Sequence, residues 1–129
     1  MPDKKRILVV EDNESTRNLE KDILEEEGFE VDVAKDGVEG LEKIKQNRYD
    51  VIISDCNMPR MKGSDLYLEV KKSNPDLAKR FMFASAILSD FIRSTGNKFL
   101  QKPFTPEELI EIVQDLIKDI ESKFEIAFD

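Results

Sequence analysis

No histidine occurs anywhere in the chain, and Cys56 is the only cysteine. The missing imidazole excludes histidine as general base, zinc ligand or phosphocarrier, leaving carboxylates, hydroxyls and lysine as the available chemistry. A lone cysteine excludes an intrachain disulfide and fits a reducing cytoplasm. No apolar run approaches the roughly 18 residues of a membrane span, and Met1-Pro2-Asp3-Lys4-Lys5-Arg6 leads into a strand rather than a signal-peptide core. Basic residues are also short: 20 Lys and Arg against 28 Asp and Glu give a net charge of −8, which argues against nucleic-acid binding through a basic face. Linkers, repeats and low-complexity tracts are absent. What remains is a chain of 129 residues, 40% apolar and 37% charged, enough for one globular domain with a sizeable core.

Strand-like runs alternate with amphipathic helical stretches, the pattern of a parallel sheet covered on both faces. Arg6 to Val10 reads as a central first strand, apolar almost throughout. A helix follows from about Ser15 to Glu27, with Leu19, Ile23 and Leu24 on its inward face and Gly28 as its left-handed stop. Phe29 to Val33 alternates with period two and is predicted to be an edge strand. Asp36 can cap a second helix facing inward through Val38, Leu41 and Ile44. Val51–Ser54 and Phe81–Ala84 read as the third and fourth strands. Between them Gly63-Ser64-Asp65 opens a helix carrying Leu66 and Val70, stopped at Asn74-Pro75. Phe99-Leu100-Gln101 is the fifth strand. The last helix has the clearest start: Thr105 as N-cap, Pro106 at N1 and Glu108 at N3 form a capping box. Its apolar face is Leu109, Ile112, Val113, Leu116 and Ile120, with Phe124 beyond.

The chemistry sits where strands end. Ile7-Leu8-Val9-Val10 runs into Glu11-Asp12, Val51-Ile52-Ile53-Ser54 into Asp55, the fourth strand into Ser85, and the fifth into Lys102-Pro103. In an open doubly wound sheet these ends meet in one crevice at the topological switch point. Three carboxylates so placed repel one another unless a hard cation sits among them, and an all-oxygen set suits Mg²⁺. Lys102 adds positive charge and Ser85 a hydroxyl, the parts needed to hold a phosphoryl group on a carboxylate. Taken singly, each residue is an ordinary turn former or strand end. Their joint placement, each at the end of a separate strand, is not ordinary. Cys56, with no base beside it, reads as a small packed residue.

The segments Ile7-Leu8-Val9-Val10-Glu11-Asp12-Asn13, Asp55-Cys56-Asn57-Met58-Pro59-Arg60-Met61-Lys62-Gly63, Ser85-Ala86 and Lys102-Pro103-Phe104 resemble the receiver domains of two-component response regulators, of the stand-alone chemotaxis-regulator kind. The resemblance covers essentially the whole length. It implies a five-stranded parallel α/β sheet in the flavodoxin-like order 2-1-3-4-5, and a single receiver domain over residues 1–129 with no output domain. Asp55 would accept a phosphoryl group from a phosphohistidine on a sensor histidine kinase or histidine phosphotransferase. The metal set would be Asp12, Asp55 and the Asn57 carbonyl, with Glu11 acting through water. Phosphate would be bound by Ser85, Ala86, Asn57 and Lys102, and Phe99 would be the switch aromatic. The implied protein is a cytoplasmic monomer or weak dimer that signals to a downstream protein without nucleic acid or membrane.

Three rivals share parts of this pattern. A flavin-binding flavodoxin has the same strand order, but the first loop here, Glu11 to Thr16, is acidic and lacks glycine. A Mg²⁺-dependent aspartyl phosphatase expects a second Asp where this chain has Asn57, and an amide cannot shuttle a proton. A degenerate receiver serving only as a docking module would not need an intact acid cluster. The chain departs from the family pattern in one place. Lys102 follows Ser85 by 17 positions, short by about five residues or roughly one and a half helical turns. Only Leu88 to Thr95 remains for the fourth helix, with Gly96 as its stop, and that helix is predicted to be mobile or irregular and to weaken dimerisation through its face.

Overall fold

The computed structural model describes residues 4–128, with side chains described through residue 122. Five strands, β1 (Arg6–Val10), β2 (Glu30–Ala34), β3 (Val51–Ser54), β4 (Phe81–Ser85) and β5 (Phe99–Gln101), form one sheet. Its order is β2-β1-β3-β4-β5, and every pairing is parallel. The helices are α1 (Glu14–Glu26), α2 (Gly37–Gln46), α3 (Gly63–Ser73), α4 (Pro75–Ala78), α5 (Asp90–Thr95) and α6 (Pro106–Phe128).

Side chains alternate across a strand, so a continuous apolar run buries both faces. Leu8, Val10, Ile52, Phe81 and Phe83 join Leu66, Tyr67 and Val70 of α3 and Ile92 of α5 in one core. Ile7, Val9, Val51, Ile53 and Met82 join Leu24 of α1 and Leu109, Val113 and Leu116 of α6 in the other. Each fully buried Phe or Ile contributes about 2–3 kcal/mol of transfer free energy. The two layers hold the sheet rigid and leave its carboxyl edge free to carry the site.

Most predicted elements stand within a residue or two of their expected bounds. The edge strand is Glu30–Ala34 rather than Phe29–Val33, and Phe29 instead packs under the α1–α6 core. The capping box is made: the Thr105 N–H donates to Glu108 Oε1 and the Glu108 N–H to Thr105 Oγ1, both at 3.1 Å. Positive φ angles at Gly28 (99°) and Gly96 (72°) close α1 and α5 as only glycine does readily. The Phe124 side chain lies outside the described residues.

Four expectations need correction. Leu19 is 55% exposed, and the next residue, Glu20, takes the inward place at 1%. Helix α1 is rotated so that Glu20 and Leu24, one turn apart, face the sheet. Val38 belongs to neither core; α2 comes close to the sheet through Gly40, where an added Cβ would lie 3.2 Å from Val10 and 3.3 Å from Leu66. Asn74-Pro75 ends α3 but does not end helical structure. Asn74 also accepts the Leu77 N–H at 3.2 Å, and Pro75 starts the single turn α4. The shortened helix α5 has six residues yet is regular. Ser89 caps it by accepting the Ile92 N–H at 3.2 Å. Asn97 then ties its exit to the sheet by donating to the carbonyls of Ala78 and Phe81, both at 2.8 Å. Phe91 adds edge-to-face contacts with Tyr67 and Phe83. Caps and aromatic packing supply what chain length does not.

Candidate functional site

At the carboxyl edge, the ends of β1 and β3 lie side by side, since Val10 is in register with Ser54. The Asp55 N–H donates to the Val10 carbonyl at 2.9 Å and the Glu11 N–H to the Ala34 carbonyl at 3.0 Å, so both acids continue their strands before the chain turns away. Glu11, Asp12 and Asp55 each offer a carboxylate oxygen, and these three oxygens lie within 4.8 Å of one another. Glu11 is 2% exposed, whereas Asp12 faces solvent. Such a set of hard oxygen donors, open on one side, fits a small divalent cation that retains waters of its own.

Lys102 reaches the cluster from β5. Its N–H donates to the Ser85 carbonyl at 2.9 Å, fixing the backbone across β4. Its ammonium pairs with Glu11 Oε1 and lies 3.3 Å from Asp55 Oδ2. Burial raises the Glu11 carboxyl above its ordinary range, and the Lys102 bond and the Asn13 N–H offset this only in part. Burial pulls the Lys102 ammonium down, but the bond to Glu11 and the charges of Asp55 and Glu11 outweigh it and raise it overall. One cation thus lies against two carboxylates and offsets part of their mutual repulsion.

The Asp55 side chain is aimed by its own loop. Oδ1 accepts the Cys56 N–H at 2.7 Å and the Asn57 N–H at 3.4 Å. Beyond, the loop folds back hard: Arg60 has a positive φ of 66°, and the Gly63 N–H donates to the Cys56 carbonyl at 3.0 Å. Buried Asp36 anchors this bend through Arg60 Nε at 2.7 Å, and the Gly37 N–H donates to the Met61 carbonyl at 3.2 Å. The Arg60 bond holds the Asp36 carboxyl below its usual range. An ideal Cβ on Gly63 would lie 2.0 Å from the Asp55 carbonyl oxygen, so only glycine fits there. Neither the Asp36–Arg60 tie nor this clearance is apparent from residue types, although Arg60 and Gly63 lie on the motif that follows Asp55 and Asp36 caps α2.

The structure therefore gathers Glu11, Asp12, Asp55 and Lys102 directly. Ser85, the last residue of β4, is 2% exposed and lines a neighbouring pocket together with Asn57. Ala86 is exposed, its carbonyl accepting from Gln101 at 3.4 Å. Phe99 stands apart, half-buried against the α2–α5 core, and it is Phe91 that reaches the pocket wall. Burial pushes the Cys56 thiol up to about 11, which keeps it protonated and unreactive near neutral pH.

A family model described as the response regulator receiver domain matches residues 7–114. The chemotaxis protein CheY of Thermotoga maritima is 32% identical over 118 residues, spanning 88% of this chain and 98% of that protein. The transcriptional regulatory protein RprY of Bacteroides fragilis is 28% identical over 126 residues, 95% of this chain but 53% of that protein. The chain thus spans nearly all of one curated relative and about half of the other. Among solved structures, the response regulator TrrA of Thermotoga maritima, in complex with Mg²⁺ and BeF, superposes with a TM-score of 0.79. It is 36% identical, covering 87% of this chain and 98% of that one.

Proposed function

The chain belongs to the response regulator receiver family, and from that premise we propose that Asp55 is the acceptor of a phosphoryl group donated by a phosphohistidine. The donor would be a sensor histidine kinase or a histidine phosphotransferase, since this chain has no histidine of its own. The observation that carries the reading is the convergence of three carboxylate oxygens within 4.8 Å, with the Lys102 ammonium paired to two of those residues.

In the transfer, an Asp55 carboxylate oxygen forms the new P–O bond as the N–P bond of the donor breaks, and the imidazole keeps the electron pair. Asp12, Asp55 and the Asn57 carbonyl would hold Mg²⁺, with Glu11 acting through water. Bound there, the cation supplies neutralising charge for the phosphoryl oxygens. Lys102 can follow those oxygens because it already lies 3.3 Å from Asp55 Oδ2, and Ser85, Ala86 and Asn57 would bind the same oxygens. Phosphorylation would then alter contacts with a downstream protein, with Phe99 as the switch aromatic. No helix among the described residues is long and apolar enough to cross a membrane. On this reading the protein works in the cytoplasm as a monomer or weak dimer.

The chain is a signalling module whose only catalysis would be its own phosphorylation and dephosphorylation. Asn57 lacks the proton-shuttling carboxyl that a turnover aspartyl phosphatase needs, and the intact acid cluster disfavours a docking module alone. Incubation with Mg²⁺ and a small phosphodonor, followed by intact mass, separates these readings. The expected result is a stable gain of one phosphoryl group that is lost in Asp55→Asn and in the presence of a chelator. Turnover without a stable adduct, or wild-type labelling of Asp55→Asn, would overturn the assignment.

Dephosphorylation is expected to be slow. Ile87 stands 67% exposed on the wall of the pocket beside Ser85, where it adds bulk and offers an attacking water no hydrogen bond. Ile87→Glu is expected to shorten the phosphoryl lifetime several-fold by supplying an acceptor that can orient that water. Decay of the adduct followed by mass checks this, and an unchanged lifetime would count against it.

A further inference from the structure

Within the acid cluster, Asp12 alone has a carboxylate that accepts no hydrogen bond among the described residues. Glu11 is held by Lys102 and the Asn13 N–H, and Asp55 by Lys102 and the Cys56 and Asn57 N–H groups. Asp12 faces solvent, so its backbone must decide where its carboxylate points. That backbone is held by Arg17, whose Nη1 donates to the Glu11 carbonyl at 3.0 Å and to the Asp12 carbonyl at 3.4 Å. Helical side chains lean toward the N-terminus of their helix, so Arg17, ending the first turn of α1, reaches back over the turn from β1. The turn is pinned at both ends. The Glu11 N–H donates to Ala34, and Asn13 caps α1 by accepting the Thr16 N–H at 2.9 Å. Arg17 makes no ion pair among the described residues, and the two carbonyls are its hydrogen-bond partners there.

We propose that Arg17 is a positioning residue for the cation site: by holding the Glu11 and Asp12 carbonyls, it aims the Asp12 carboxylate at those of Glu11 and Asp55. The inference rests on the reading of these three carboxylates as a Mg²⁺ site. A guanidinium on a carbonyl is a charge-assisted bond, stronger than a neutral one. Asp12 has a short side chain, so a tilt of the peptide that Arg17 holds swings the carboxylate away from its neighbours. The sign of the effect separates this role from a plain effect of charge. By Coulomb's law alone, a positive side chain beside the site repels Mg²⁺, and its removal tightens binding. A donor that orients a ligand does the reverse, because such outer partners are worth roughly 10–100-fold in metal affinity. Charge and positioning therefore predict opposite results for the same substitution.

Titration calorimetry of the full chain with Mg²⁺ alone, and no phosphodonor, reads the affinity directly. Arg17→Met keeps a long, unbranched side chain with good helix preference but removes the donors. It is expected to weaken Mg²⁺ binding about tenfold. Arg17→Lys keeps the charge and a donor for one carbonyl, and should bind within about threefold of wild type. In metal-free ¹H–¹⁵N spectra, the changes in Arg17→Met are expected to cluster at residues 11–17. Unchanged or tighter binding in Arg17→Met would overturn the proposal, as would an Arg17→Lys variant that binds as weakly as Arg17→Met. Weaker binding with spectral changes spread through both cores would mark a general loss of structure and overturn it too. If the wild-type chain itself binds no Mg²⁺, the cation reading of the site falls first and takes this inference with it.

Discussion

Gly63→Ala is expected to lower the thermal unfolding midpoint by about 10 °C and to abolish phosphoryl acceptance at Asp55. The alanine Cβ would sit 2.0 Å from the Asp55 carbonyl oxygen, 2.9 Å from its carbon and 3.0 Å from the Cys56 Cα. All three are backbone atoms, so no rotamer change relieves the clash. Either α3 must retreat or the Asp55–Cys56 peptide must turn. The first opens the core where Leu66, Tyr67 and Val70 pack, and the second breaks the bond from the Gly63 N–H to the Cys56 carbonyl. Overpacking against soft side chains costs about 1–3 kcal/mol, and a rigid backbone belongs at or above the top of that range. At this chain length 3 kcal/mol corresponds to roughly 10 °C. The loss of function follows from the same movement, because the Cys56 and Asn57 N–H groups that aim Asp55 Oδ1 belong to the displaced segment. Thermal unfolding and intact mass after phosphodonor treatment check the two halves separately. A variant with an unchanged midpoint would show that α3 does not press on Asp55 as described.

The contrast between Gly63 and Asp55 shows what residue types convey and what they conceal. Apolar runs ending in Glu11-Asp12, Asp55, Ser85 and Lys102 can be read because strand burial and strand ends leave a compositional trace. Parallel pairing then forces those ends together, and the order β2-β1-β3-β4-β5 is what makes four separate signals one site. A clearance of 2.0 Å leaves no such trace, since Gly63 by itself reads only as a helix start. The Arg60–Asp36 tie spans 24 positions and joins two loops, neither of which shows periodicity. Helix α1 is the clearest misreading. Leu19 and Glu20 are neighbours 100° apart on the helix, and polarity favours Leu19 as the inward residue. The packing of Leu24 against the sheet rotates α1 the other way and takes Glu20 inside. Helix α5 is short as expected but regular where irregularity is predicted: its length argues against regularity, but two caps and the Asn97 bonds to the sheet compensate.

Glu20→Leu is therefore expected to stabilise the protein, and by more at high pH than at low. Glu20 is 1% exposed, and its Oε1 is the one buried side-chain oxygen among the described residues with no hydrogen-bond partner. Burial, reinforced by the negative charge of Glu11 and Asp55 and only partly offset by Lys102, pushes its carboxyl up to about 8 from an ordinary 4.5. A raised folded-state value means that the folded protein holds a proton that the unfolded chain has released. The wild-type protein accordingly loses stability from this group as pH rises from about 4.5 to about 8, with little further change above. The full penalty is on the order of 3–5 kcal/mol. Leucine removes it, and at every pH it also removes an unsatisfied buried polar group worth about 1–3 kcal/mol. The difference in unfolding midpoint between variant and wild type should then be a few degrees near pH 5 and about 10 °C or more near pH 8.5. Other raised groups, Glu11 among them, titrate in both proteins and largely cancel in that difference. Measurements without divalent cation keep metal binding out of the comparison. A gap that stays the same at both pH values would mean that Glu20 titrates normally, and a destabilised variant would mean that its carboxyl has a partner in the fold.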